Sequence, residues 1–290
     1  MRTDRRVWLL CGLVASATAG AARGQESILQ FNGGLVTGTG PAAASFFNGV
    51  TTQSAVGFGS ASSFSLPALP GGDAQVLHAP ALMANQGIVF QPNAAANGGG
   101  TKINQYTIGY DILFAATPSF AVFHNITADV AAGTVTGDGD LFRRGSDMGI
   151  GISGQYDGVV SQSDWHRVVI TMNTTEGAQG TMRKYIDGTL VSAQTTLDNG
   201  GLDLRFAIDP AAPGTNGLVL LNDDDGESSE VYLNSFYFNN VVLTDAQVQA
   251  FGVPTVAGFA PVPEPGAVVA VAAAGLGLAG AVRRRRRAAA

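Results

Sequence analysis

Nine residues from Tyr106 to Phe114 restrict the folds open to this chain more than any other stretch. In Tyr106-Thr107-Ile108-Gly109-Tyr110-Asp111-Ile112-Leu113-Phe114 the even positions are all apolar or aromatic, while Thr107, Gly109 and Asp111 are small or polar. Period two held over this length specifies a β-strand with one buried face. Trp165-His166-Arg167-Val168-Val169-Ile170-Thr171-Met172 is β-branched and nearly continuous, as in a strand covered on both faces. Arg183-Lys184-Tyr185-Ile186 and Thr189-Leu190-Val191 flank Asp187-Gly188. Asp-Gly between strand-like runs predicts a two-residue hairpin, because both turn positions need positive φ. Alternation returns from Val231 to Phe238.

Shorter strands are expected at Gln75–His78, Gly87–Phe90, Phe120–Phe123, Leu141-Phe142 (after the turn Asp138-Gly139-Asp140) and Gly149–Ser153. Gln25 to Gly72 is open to two readings, a first edge strand with long loops or a mobile lead-in. One short helix is expected through Phe251. Thr244-Asp245-Ala246-Gln247 is a capping box in which the Thr244 hydroxyl caps and Gln247 reaches back, and Gly252 and Pro254 stop the helix. Charged residues are few and Gly, Ala, Ser, Thr and Asn abundant, which suits strands joined by many turns. The pattern specifies an all-β sandwich of two antiparallel sheets.

Both ends carry sorting chemistry. Arg2, Arg5 and Arg6 precede the apolar run Val7–Val14, and Ala19-Gly20-Ala21 fits small-x-small cleavage, so residues 1–21 read as a signal peptide. Leu10 before the single cysteine, Cys11, argues against lipidation, and the processed chain then folds without disulfides. At the other end Pro263-Glu264-Pro265 closes a linker over 259–265. The 17 residues of 266–282 carry no charge, and 283–290 begins with five arginines, Arg283 to Arg287. Seventeen such residues sit at the lower limit for a membrane-spanning helix, and the arginines hold their side in the cytoplasm. Between the two ends, eight basic residues face 21 acidic ones, a net charge of −13. Such a surface repels nucleic acid and anionic lipid and suits an extracellular protein or one that meets divalent cations.

The order Pro-Glu-Pro, apolar span, basic tail resembles the PEP-CTERM sorting signal. The resemblance implies export, an inner-membrane-anchored intermediate and recognition of Pro263, Glu264 and Pro265 by an exosortase. Release or attachment at the cell surface or in the extracellular matrix, as in biofilm, follows from it. The body, 22–258, resembles a LamG-like domain of the concanavalin A-like lectin/glucanase superfamily. The likeness rests on Trp165-His166-Arg167-Val168-Val169-Ile170, on Tyr185-Ile186-Asp187-Gly188, and on the strand before Leu243-Thr244-Asp245-Ala246-Gln247-Val248. It implies a jelly roll and carbohydrate or matrix-protein binding without catalysis. Its alternative is a glucanase-like enzyme on the same fold.

Four acids, Asp223, Asp224, Asp225 and Glu230, form a candidate calcium site, since a hard cation takes several carboxylate oxygens from a flexible loop. A solvated acidic turn is the competing and favoured reading, and Asp138 and Asp140 form a weaker candidate. Calcium is the one cofactor suggested. Asp225-Gly226-Glu227-Ser228-Ser229-Glu230 only approaches the Glu-x-Asp-x-x-Glu strand of retaining glucanases, with the first two acids exchanged and turn residues between them. No catalytic residue is assigned. Tyr156, beside Asp157, is the candidate sugar-binding pair, while Trp165 is expected in the core. His78, His124 and His166 lack metal-ligand spacing and are expected to be structural.

Overall fold

The computed structural model describes residues 24–47, 56–116, 120–129, 134–135, 139–145, 150–152, 154–210 and 217–262. The expected signal peptide, the Pro263-Glu264-Pro265 motif, the span 266–282, the basic tail and Asp138 lie outside them. Among the described residues no helix is long and apolar enough to cross a membrane.

The first strands are β1 (Glu26–Gln30), β2 (Val36–Thr39), β3 (Ala43–Phe47), β4 (Gly57–Ser60), β5 (Gln75–Ala79) and β6 (Gly87–Gln91). β7 (Gln105–Phe114), β8 (Phe120–Asp129), β9 (Thr134–Val135), β10 (Leu141–Arg144), β11 (Ile150–Ile152) and β12 (Gln155–Asp157) follow. β13 (His166–Asn173), β14 (Thr181–Ile186), β15 (Thr189–Gln194), β16 (Gly217–Leu220), β17 (Val231–Asn239) and the helix α1 (Asp245–Phe251) complete the chain. They form two sheets, as the patterning requires. One runs β15-β14-β13-β7-β17-β1-β2, with β5 also on β17 and β4 on β5; the other runs β12-β11-β10-β8-β16-β6-β3, with β9 on β8. Gln25–Gly72 therefore contributes strands to both sheets, and β1 lies between β17 and β2 instead of at an edge.

The even side chains of β7 (Tyr106, Ile108, Tyr110, Ile112 and Phe114) lie in the core with Phe90, Phe123, Leu218 and Leu220 of the opposite sheet. Rings lock the layers together. Phe90 and Phe236 stand 4.7 Å apart, Tyr110 and Phe123 5.4 Å, and Phe114 and Phe123 5.6 Å. Each buried aromatic removes roughly 150–250 Å² from water, so these few rings carry much of the apolar burial. The Asp187-Gly188 hairpin is present with both φ values positive, 52° and 77°.

The structure corrects one expectation for β7. Its odd face is buried as well, with Thr107 and Asp111 both at 0% exposure. The cause is the strap formed by α1 and residues 252–262, which lies across that face. Thr107 Oγ1 donates to Val241 O at 2.8 Å, and Gly109 leaves room for Phe259, whose ring a Cβ would meet at 2.5 Å. Arg167 donates to Asp111 through Nε at 2.6 Å and Nη2 at 2.7 Å, and to the strap carbonyls of Phe251 and Gly258, the latter at 3.0 Å. Its guanidinium also lies 4.3 Å from the Phe259 ring centre. A polar face is thus buried because each polar group on it has a partner.

The strap also moves the expected end of the domain. Phe259 is 3% exposed, and Val262 N–H donates to Glu26 Oε1 at 3.0 Å, so the packed body extends four residues into the linker expected at 259–265. The capping box forms as read: Thr244 Oγ1 accepts from Gln247 N–H at 3.3 Å and Gln247 Oε1 accepts from Thr244 N–H at 2.9 Å.

Candidate functional site

Two features meet on the outer face of the eight-stranded sheet. The first is an aromatic cluster. Register pairs Phe120 with Arg144, Phe142 with Gly151, and Gly151 with Tyr156, so all five share one face. The alternate residues Leu141, Ile150 and Ile152 fill the core. Gly151 permits the tight approach of the edge strand, since a Cβ there would fall 1.7 Å from Gln155 O. Phe120 stands edge-on to Phe142 at 5.9 Å and to Tyr156 at 6.1 Å. The Arg144 guanidinium lies 5.6 Å from the Phe120 ring centre and 5.2 Å from that of Tyr156. The rings are half-buried and Arg144 is exposed.

Tyr156 thus belongs to this half-buried aromatic cluster. Asp157, its expected companion, turns to the other side of the strand and pairs with the ammonium of Lys184, whose side chain is 0% exposed. Period-two geometry separates the two neighbours. Phe120, Phe142 and Arg144 went unassigned in the sequence. The alternation Leu141-Phe142-Arg143-Arg144 was their only local trace, and nothing in it shows that β8, β10 and β12 lie side by side.

The second feature is the acidic turn after β16. Asp223, Asp225 and Glu227 place carboxylate oxygens within 4.8 Å of one another. Asp224 is not in that group, and Glu230, expected to join it, instead accepts from Tyr232 Oη at 3.1 Å and contacts His78 Nε2 at 2.9 Å. Glu230 directly precedes β17, and Glu227 takes its place in the acidic group. Asp223 Oδ1 accepts the N–H groups of Asp225, Gly226 and Glu227 at 3.3, 2.7 and 3.0 Å, so that oxygen is engaged in closing the turn. Burial raises the pKa of Asp223 and also that of Glu227, helped there by Asp225 and Asp223. Asp140, 2.5 Å from Asn125 Nδ2, is pushed up to about 7 by burial and by the charge of Asp223. The turn adjoins the aromatic cluster: Val122 N–H donates to Glu227 O at 2.9 Å, and the Tyr156 pKa is raised by burial, with the charge of Arg144 lowering it and that of Glu227 adding a smaller rise.

His124 and His166 are tied into the scaffold, while His78 is partly exposed beside Glu230. Tyr110 Oη meets His124 Nδ1 at 2.7 Å, and burial lowers the His124 pKa to about 3, so the ring is neutral. His166 Nδ1 lies 2.9 Å from Asp187 Oδ2, and its Nε2 is 2.8 Å from Ser161 Oγ. That order of atoms matches a nucleophile triad, but Nε2 also takes the Ser161 main-chain N–H at 3.2 Å, and Ser161 Oγ has a second acceptor in Asp164 Oδ2 at 3.1 Å. The one lone pair a general base needs is committed to backbone, and the trio pins the 158–165 loop to the hairpin. Trp165 is partly buried and donates to Pro67 O at 2.9 Å, a structural position.

The family model of the PEP-CTERM protein-sorting motif matches residues 261–287. The chain carries a PEP-CTERM sorting motif. Pro263, Glu264 and Pro265 fall inside the matched stretch, directly after the last described residue of the sandwich. No curated protein sequence matches this PEP-CTERM chain. Among solved structures it is similar to the botulinum neurotoxin serotype G binding domain at 12% identity and a TM-score of 0.47, over 77% of this chain and 49% of that one. Trypanosoma rangeli sialidase matches at 14% identity and 0.46, over 77% and 32%. The chain spans about half the length of the neurotoxin domain, and these likenesses concern the sandwich fold alone.

Proposed function

We propose that the PEP-CTERM chain is exported, sorted by an exosortase and presented at the cell surface or in the extracellular matrix. There its LamG-like sandwich acts as a non-catalytic binding module for polysaccharide or a matrix protein. The observation that carries this reading is the platform of Phe120, Phe142 and Tyr156 on the outer sheet face. Pyranose rings stack on such half-exposed aromatic faces through their C–H groups, and platforms on a rigid sheet lose little entropy on binding. The sorting motif supports the export route. A cut at Pro263-Glu264-Pro265 removes the span and tail and falls after every described residue of the sandwich, the last of which, Val262, is held by Glu26.

The acidic turn speaks against glycoside cleavage. Hydrolysis needs two carboxyl groups flanking the scissile bond, whereas Asp223, Asp225 and Glu227 crowd one turn from one side. A glycan array probed with the exported protein tests the binding reading: glycans retained by the native chain and lost by Tyr156→Ala of equal melting temperature support it. Reducing-sugar release that disappears in Glu227→Gln refutes the non-catalytic role. Mass spectrometry of the host's mature product should find a chain ending near Pro265, and an intact Arg283–Arg287 tail overturns the processing claim.

A further inference from the structure

The body is strongly acidic, yet its described cations are not alike. Five of the seven basic side chains among the described residues stand against carboxylates: Lys102 with Asp209, Arg167 with Asp111, Arg183 with Asp245, Lys184 with Asp157 and Arg205 with Asp198. Arg143 is buried and donates to Val160 O at 2.8 Å. Arg144 remains. It is exposed, and no carboxylate, carbonyl or hydroxyl of the described residues accepts from it; its contacts are the rings of Phe120 and Tyr156. Those rings fix the guanidinium plane without neutralising it, and with no acceptor among the described residues its N–H fork can meet a ligand.

Resting on the binding reading above, we propose that this platform selects acidic glycans, with a uronate ring on the aromatic face and its carboxylate paired to Arg144. A planar guanidinium donates two parallel N–H groups to a carboxylate, roughly twice as strongly as neutral donors do. The Tyr156 hydroxyl, its pKa raised by burial, stays protonated at neutral pH and is available to a ring hydroxyl. Glu227, whose charge reaches Tyr156, opposes an anion there and tempers the affinity.

The test compares polygalacturonate, alginate and hyaluronan with their methyl-esterified forms, which keep the sugars and remove the charge. The probe is the exported protein, native or carrying Arg144→Gln, Glu227→Gln or Tyr156→Ala, each variant first checked for an unchanged melting temperature. The proposal expects at least one acid form to bind about tenfold or more tighter than its ester, an advantage lost in Arg144→Gln, enlarged in Glu227→Gln and weakened by salt. Arg144→Lys keeps charge without the planar fork and recovers only part of it. Equal binding of acid and ester, with dependence on Tyr156, overturns the acidic selectivity and leaves the binding reading intact. No binding of any acid or ester overturns the selectivity, and a blank glycan array beside it removes the binding reading as well.

Discussion

Asp111→Ala is the sharpest test of how the strap is held. Asp111, 0% exposed, accepts from Arg167 Nε and Nη2, from Ser235 Oγ at 2.9 Å and from Asn234 Nδ2 at 3.5 Å. Removing the carboxylate strands a guanidinium that is itself 2% exposed, with only the carbonyls of Phe251 and Gly258 left to it. Loss of one partner of a buried ion pair costs about 3–5 kcal/mol, because the other charge cannot return to water. That is a large part of the roughly 5–15 kcal/mol by which a domain is stable. Urea unfolding of the processed protein should therefore show Asp111→Ala destabilised by about 3–5 kcal/mol with an unchanged slope. In hydrogen exchange, protection should fall earliest over residues 252–262, where Arg167 holds the strap carbonyls. Asp111→Leu combined with Arg167→Met should be more stable than Asp111→Ala, since no bare charge remains. A loss below about 1 kcal/mol in Asp111→Ala, or uniform exchange across the sheet, would refute the strap argument.

Two further outcomes follow from the acidic turn. Asp140 titrates near 7 when folded against 3.8 when free, so the folded chain holds a proton that the unfolded chain releases; stability then falls as pH rises from about 4 to about 7. Asp140→Asn keeps the acceptor for Asn125 and should gain on the order of 2–4 kcal/mol at pH 8 while matching the native chain at pH 4, and equal urea midpoints at pH 8 would contradict this. Calcium added in excess after EDTA treatment should move the melting temperature by less than the roughly 2–4 °C that 1 kcal/mol produces in a domain of this size, because Asp223 already closes its own turn; a larger rise would restore the calcium site.

The C-terminal sorting motif was legible without a fold, since such a signal is recognised as linear chemistry: charge, apolar length and a short motif in fixed order. The strands at Tyr106–Phe114 and Val231–Phe238, the Asp187-Gly188 hairpin and the Thr244 capping box were legible for a related reason. Each depends on neighbours within a few residues, through side-chain alternation, positive φ or a hydroxyl three residues from an N–H. The outer face of β7 was not legible, because Thr107 and Asp111 look solvent-facing until the chain after β17 brings Val241, and the neighbouring strand β13 brings Arg167, to them across more than fifty residues. The same reason governs the candidate site. Tyr156 was visible as a turn-proximal aromatic, and Asp223 and Asp225 as part of an acidic run. That Asp157 is occupied by Lys184, that Glu227 replaces Glu230, and that Phe120, Phe142 and Arg144 converge on Tyr156 are consequences of strand order. Local patterning dictates which face a side chain takes; pairing of strands distant in sequence dictates its company, and binding chemistry depends on the company.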